Sequence, residues 1–302
     1  MIPIVLFYIC SATALVLLNK TILAAFGTPF TALWCQSIVS ACLARSFSGS
    51  NFTDRPLYET LKEQMDLNTI AAASLILSAL SLQQVDASAF HTIARSLTIP
   101  FTVILAFLFL GSRPTKTSLF GCLLVAAGFA STVGLVFDSS RGLGFTKLGM
   151  ILGVCAAGVA AMHSVMIKQA VDRKLTDSEM IYYSNVFYVI VGFPLMLLED
   201  LKLLDILRDQ ESLVIFLAGT GLTGAIAMLF NLAVLSQVKF TSPLTHAISS
   251  AFRGVVQSLV SVYALREPFT GNKLTGMVLV TIGTLFYLLG KTGDSKKKAK
   301  KV

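Results

Sequence analysis

Charge is scarce in this chain. Only 13% of its 302 residues are Asp, Glu, Lys or Arg, 55% are hydrophobic, and mean hydropathy is +0.76. Soluble domains carry about 25% charged residues, so the composition excludes one and leaves an integral membrane protein. Acids are scarcer than bases, 16 against 24, and none lies well inside an apolar run. The five cysteines (Cys10, Cys35, Cys42, Cys122, Cys155) stand singly in apolar segments. They read as small core residues, not as disulfide partners or metal ligands. A Walker loop, a Gly-Xaa-Ser-Xaa-Gly elbow, a His-Glu-Xaa-Xaa-His pair and paired intramembrane aspartates are all missing. No enzyme, cofactor or ATP-driven step is therefore expected. The net charge of +8 resides largely in a final lysine cluster (Lys296, Lys297, Lys298, Lys300, Lys301). No aromatic–basic patch accompanies it, so nucleic acid is not an expected partner. The N-terminus has no basic region and no cleavage signal before Asn19-Lys20, which predicts a retained first span.

What is there is apolar length. Runs of about 20 apolar residues suit a bilayer crossing. They fall at 3–24, 29–47, 68–84, 88–111, 117–137, 148–170, 180–198, 213–236, 244–265 and 273–290, which predicts an all-α protein of ten transmembrane helices. Lys and Arg mark the cytosolic side. Fifteen lie on the side of the termini and seven on the other, with Arg95 and Arg253 inside spans, so both termini are expected to be cytosolic. The sequon at Asn51 is then idle.

A weak repeat runs through the chain. Gln84-Val85 resembles Gln237-Val238, and Gly121 after Pro114 resembles Gly276 after Pro268, at offsets near 154. Units of five helices are odd-numbered, so the second must enter the membrane from the opposite side. Two inverted five-helix repeats, about 1–140 and 146–290, are the expected layout of a single domain 1–290 with a basic tail at 291–302. That is a plan used by secondary transporters.

Two arginines sit at bilayer depth. In span nine His246, Ser249, Ser250, Arg253 and Gln257 share one helical face; in span four His91, Arg95, Thr98 and Thr102 do. A buried arginine costs about 2.5–3.5 kcal/mol on insertion scales and is functional by default. An acidic partner on another helix would be the plain explanation, but no intramembrane acid offers itself. Two guanidinium forks suit an external anion, a phosphate or a carboxylate. Lys20 and Lys168 lie near span ends, where they either snorkel to headgroups or draw anions in. His91 and His246 read as hydrogen-bond partners or as proton-coupling groups. Tyr182-Tyr183-Ser184-Asn185 opens span seven, as an aromatic belt or as a surface that stacks on and hydrogen-bonds a base. Asn231 is a comparable buried amide without a clear role.

Leu18-Asn19-Lys20, Phe90 with Arg95-Ser96-Leu97-Thr98, and Thr241-Ser242-Pro243-Leu244-Thr245-His246 resemble the nucleotide-sugar transporters, most closely the GDP-fucose transporters. The resemblance runs through all ten spans. It implies the drug/metabolite transporter fold and antiport of lumenal GMP against cytosolic GDP-fucose. It also implies that Tyr182 to Asn185 stand where GDP-mannose relatives carry a nucleobase motif, Phe-Tyr-Asn-Asn, with Tyr and Ser here at its first and third places. Ser250-Ala251-Phe252-Arg253 replaces the Gly-Ala-Leu-Asn-Lys of GDP-mannose transporters and the Gly-Thr-Ala-Lys of GDP-fucose transporters. Arg253 keeps the cation for the diphosphate. The tail residues Lys298 and Lys300 fit a coat-read retrieval signal, which implies the Golgi or endoplasmic reticulum. Expected partners are a nucleotide sugar, a nucleoside monophosphate, membrane lipid, a coat protein at the tail and a second copy of the chain. Another nucleotide sugar, a sugar phosphate, or a non-transporting scaffold are the competing readings.

Overall fold

The computed structural model describes residues 2–48, 56–85, 97–111, 114–133, 146–169, 177–240, 243–266 and 271–299. Twelve α-helices occur among them. These are α1 (Ile2–Phe26), α2 (Pro29–Ser48), α3 (Leu57–Glu63), α4 (Met65–Gln84), α5 (Thr98–Leu110) and α6 (Lys116–Val133). There follow α7 (Lys147–Gln169), α8 (Asp177–Met196), α9 (Asp200–Arg208), α10 (Gln210–Phe240), α11 (Pro243–Ala264) and α12 (Gly271–Ala299). Ten overlap the apolar runs of the sequence. Four segments are long and apolar enough to cross a membrane by themselves: Pro3–Phe26, Met65–Gln84, Ser178–Glu199 and Gln210–Val234. Thr98–Phe109, Lys116–Ser131, Lys147–His163 and Leu274–Gly290 are shorter apolar helices.

Local chemistry explains the boundaries. Gly27 ends α1 at φ 64°, a left-handed turn that costs glycine little, and Pro29 starts α2 where a missing N–H does no harm. Gly111 closes α5 in the same left-handed way, its N–H donating to Ala106 O. Pro194 sits inside α8, which tightens into a 3₁₀ turn at Leu197–Glu199. The short helices α3 and α9 were not foreseen from apolar length. Nor was the tail: α12 continues to Ala299, past Gly293-Asp294-Ser295 into a run of lysines, good helix formers, that includes Lys298. Lys300 lies outside the described residues.

The chain forms two compact units, and each draws on both sequence halves. One comprises Met1–Gln83 and Gln169–Phe240, the other Gln84–Lys168 and Thr241–Val302. The halves 1–140 and 146–290 are therefore not themselves the compact bodies, because helices from each pair with helices of the other.

In the first unit α2 packs against α8 and α10, and α1 packs on α10. Phe26 meets Phe216 edge-on at 5.2 Å and Tyr8 stacks on Phe230 at 5.8 Å, so α1 and α10 run antiparallel. Trp34 Nε1 donates to Val189 O at 3.1 Å, and Ser40 Oγ donates to Gly224 O at 2.7 Å. Glu199 reaches back to cap α2, accepting from Phe30 N (3.0 Å), Thr31 N (2.9 Å) and Thr31 Oγ1 (2.8 Å). That places a carboxylate on the positive end of the helix dipole. Lys202 Nζ donates to Gly27 O at 3.1 Å beside it.

In the second unit α6 and α12 lie backbone to backbone. A Cβ added to Gly121 would stand 2.5 Å from Gly283 O, and one added to Gly283 would stand 2.7 Å from Gly121 O. Gly128 meets Gly276 O at 2.8 Å in the same sense. Index rises on one helix as it falls on the other, so the pair is antiparallel. Small residues at such a seam let membrane helices approach closely. Ser118 Oγ donates to Tyr287 O at 3.3 Å at one end, and Phe120 and Phe286 pack edge-on at 5.3 Å. Leu108, Leu123 and Leu289 are 66, 69 and 65% exposed, a surface suited to acyl chains.

Candidate functional site

Helix α11 is inverted relative to a soluble helix, with its polar residues inward. Arg253 and Gln257 are each 2% exposed and Ser258 and Ser261 are fully buried, while Leu259 and Tyr263 are 50 and 90% exposed. The i, i+4 pairing of Arg253 with Gln257 read from the sequence is thus a buried face. Ser261 Oγ donates to Gln257 O at 2.6 Å, which keeps that hydroxyl satisfied within the helix. His246, Ser249 and Ser250 belong to α11 by backbone, and Lys168 to α7; their side chains lie outside the described residues. His91 and Arg95 lie outside them altogether.

The first unit holds the other candidates. Asn19 and Lys20 are half-buried on α1. Lys20 Nζ donates to Leu82 O at 2.9 Å, near the carbonyl end of α4, where a cation is favoured. The ammonium therefore turns toward a neighbouring helix end, a reading the sequence did not offer.

The segment from Tyr182 to Asn185 faces the interior more than a membrane belt would. Tyr183 is 2% and Asn185 7% exposed, and Tyr182 is half-buried. The two tyrosine rings stand edge-on, 5.3 Å apart. Tyr182 packs against a small core of Ala44, Ile181 and Met228. Asn185 Nδ2 donates to Ile181 O at 2.7 Å, and Ser184 Oγ donates to Asn68 Oδ1 at 3.0 Å.

That last bond leads to residues that sequence reasoning missed. Thr60, Gln64 and Asn68 fall at i, i+4 and i+8 and are 2, 1 and 1% exposed. Gln64 Nε2 and Oε1 and Asn68 Nδ2 have no hydrogen-bond partner. Buried amides left so are uncommon, at a cost of about 1–3 kcal/mol each. Glu179, on the first turn of α8, is 1% exposed as well. It lies just outside the apolar run 180–198, where α3 covers this end of α8. The four-residue spacing was visible, but it crosses a stretch that reads as a hydrophilic loop.

Beyond this polar cluster the same helices enclose an apolar cavity of about 30 Å³, lined by Trp34, Ser37, Ala72, Ile76, Tyr188 and Leu195 among others. It has room for about one water and no charge to hold an anion. Among the described residues no group of three His, Cys, Asp or Glu could hold a metal ion. The chemistry available among the described residues is recognition by a guanidinium and by amides buried between helices.

The Triose-phosphate Transporter family matches residues 1–288, nearly the whole length. The chain belongs to that family. Members are transporters, not enzymes. Similar proteins include GDP-fucose transporter 1 of Dictyostelium discoideum, 28% identical over 97% of this chain and 81% of its own length. The Golgi GDP-fucose transporter of Drosophila melanogaster is 25% identical over 94% and 88%. UDP-xylose transporter 1 of Arabidopsis thaliana is 24% identical over 96% and 84%. A solved crystal structure superposes with TM-score 0.56 at 16% identity, covering 96% of this chain and 98% of the other, which shows the fold alone.

Proposed function

We propose that this family member is a secondary antiporter that carries a nucleotide sugar, GDP-fucose first among them, into the Golgi or endoplasmic reticulum lumen in exchange for GMP. Arg253 carries the reading: a guanidinium at 2% exposure on the inward, polar face of α11. Its planar fork suits diphosphate oxygens at two points. Arg95 supplies the second cation, with Lys20, Lys168 and the polar neighbours His91, His246, Ser249, Ser250 and Gln257 around the anion. Tyr182, Tyr183 and Asn185 meet the base. Exchange follows because carrying a cationic site through lipid is costly, and an anion on board lowers that cost.

Ten spans in two inverted repeats complete the proposal. The glycine seam supports it: at an offset of 155 Gly121 corresponds to Gly276 and Gly128 to Gly283. The observed pairs, Gly121 with Gly283 and Gly128 with Gly276, are then each other's counterparts, as a two-fold relation requires. Both termini face the cytosol in this scheme, with the lysine tail available to a retrieval coat. The name of the Drosophila relative supports the Golgi.

The test is uptake of labelled GDP-fucose into vesicles reconstituted with the purified chain. Uptake should require GMP inside and should be lost in Arg253→Ala while the variant still folds. Uptake indifferent to preloading would refute exchange. The UDP-xylose transporter among the relatives favours a second reading, a uridine sugar exchanged for UMP; UMP-loaded vesicles and UDP-xylose form the parallel arm.

A further inference from the structure

The buried carboxamides of Gln64 and Asn68 have no role in the reading above, yet they adjoin the segment assigned to the base. Asn68 is tied to Ser184 by its oxygen, since Ser184 Oγ donates to Asn68 Oδ1 at 3.0 Å. What remains is the amide nitrogen, a donor with no partner at 1% exposure. Ser184 lies in the segment assigned to the base, and the amide it grips comes from α4. Contacts fix the direction of the two helices. Asn68 is level with Ser184, while Ala72 and Ile76 share the apolar cavity with Tyr188 and Leu195, so α4 and α8 run parallel. One turn before Asn68 comes Gln64, its donor and acceptor both without a partner. One turn before Ser184 brings α8 to the level of the buried Glu179.

We propose that Asn68 and Gln64 determine base specificity, their carboxamides taking the lactam edge shared by guanine and uracil, a ring carbonyl beside a ring N–H. The inference rests on the nucleotide-sugar reading and deepens it. Asn68 Nδ2 donates to the carbonyl. Gln64 can accept from the neighbouring N–H while donating in turn. Adenine fails at this site because it presents an amine where the lactam presents a carbonyl, so two donors face each other, and a polar mismatch at a desolvated site discriminates strongly. Gln64 also caps α3 at φ −105° and ψ 4°, outside helical geometry. It is the one residue between α3 and α4.

Thermal shift of the purified full chain with GMP, UMP and AMP tests the proposal. The wild type should be stabilised by GMP or UMP at concentrations at least tenfold below those needed of AMP; which of the two wins identifies the base. Asn68→Asp puts an acceptor opposite the carbonyl and should cut that preference about tenfold, or 1.4 kcal/mol. Gln64→Met removes atoms that have no partner, so its unliganded melting point should hold or rise while the preference still falls. If Asn68→Asp does not fold, Gln64→Met decides alone. A wild type that prefers a lactam base, with both variants unchanged in that preference, overturns this inference and leaves transport standing. A wild type stabilised by none of the three monophosphates overturns the transport reading as well.

Discussion

The two compact units lean on different means of holding their helices together. In one, α6 and α12 meet through glycines, with carbonyl oxygens where side chains would otherwise be. In the other, side chains bridge α2, α4, α8 and α10, through Glu199 to the start of α2, Ser40 to Gly224, Trp34 to Val189 and Ser184 to Asn68, and among its described glycines only Gly224 comes as close, a Cβ there standing 2.8 Å from Gln36 O. Without water to compete, close van der Waals contact and interhelical hydrogen bonds are the two cohesive forces open to membrane helices. Here the two units weight them differently. The unpartnered amides of Gln64 and Asn68 lie in the bridged unit.

Substitutions can sharpen that contrast. The largest effect is expected in the glycine seam. Gly121→Ala places a methyl 2.5 Å from both Gly283 O and Tyr287 N, backbone atoms that cannot rotate aside. Overpacking of this kind costs about 1–3 kcal/mol, occasionally more. A steep loss of folded yield and melting temperature in detergent is the readout, and a variant as stable as the wild type would refute the seam. Next comes Glu199→Ala, which strands the first backbone N–H groups of α2. Hydrogen bonds to a charged group contribute about 1.5–3 kcal/mol each, partly recovered by water at a helix end, so a net loss of about 1–2 kcal/mol is expected. Glu199→Gln should restore part of it, because one amide oxygen still accepts.

The smallest effect concerns an exposed cap. Asp209 Oδ2 accepts from Ser212 N at 3.1 Å at the start of α10. The Ser212 hydroxyl and amide hold its carboxyl below the ordinary carboxylate range. A folded-state pKa below the unfolded one gives stability that is present above the unfolded pKa and lost as pH falls through the folded one. The melting-point difference between wild type and Asp209→Ala should therefore be small at neutral pH and shrink toward zero on acidification. A difference that grows in acid would contradict the cap.

Much of this architecture was legible in advance, for physical reasons that also explain what was not. Apolar length marks where helices run, because lipid demands it, and the face shared by Arg253 and Gln257 followed from helical spacing. The correspondence of Gly121 with Gly276 could be read from the repeat, although their packing partners, Gly283 and Gly128, could not. Spacing reports which residues share a face and says little about what that face meets. Glu199 and Thr31 are joined across 168 positions, and Lys20 finds Leu82 O across 62. Glu179 was passed over because charge near the end of an apolar run ordinarily belongs to the headgroup region. The α3 stripe was passed over because seven residues between polar neighbours carry too little periodicity to declare a helix.

The interlocked ribs of α6 and α12 set a mechanical limit. Rods whose backbones mesh at two-turn intervals cannot screw or slide past one another without climbing out of register. That pair behaves as a fixed pillar, and whatever breathing accompanies a working cycle has to be absorbed in softer parts of the molecule.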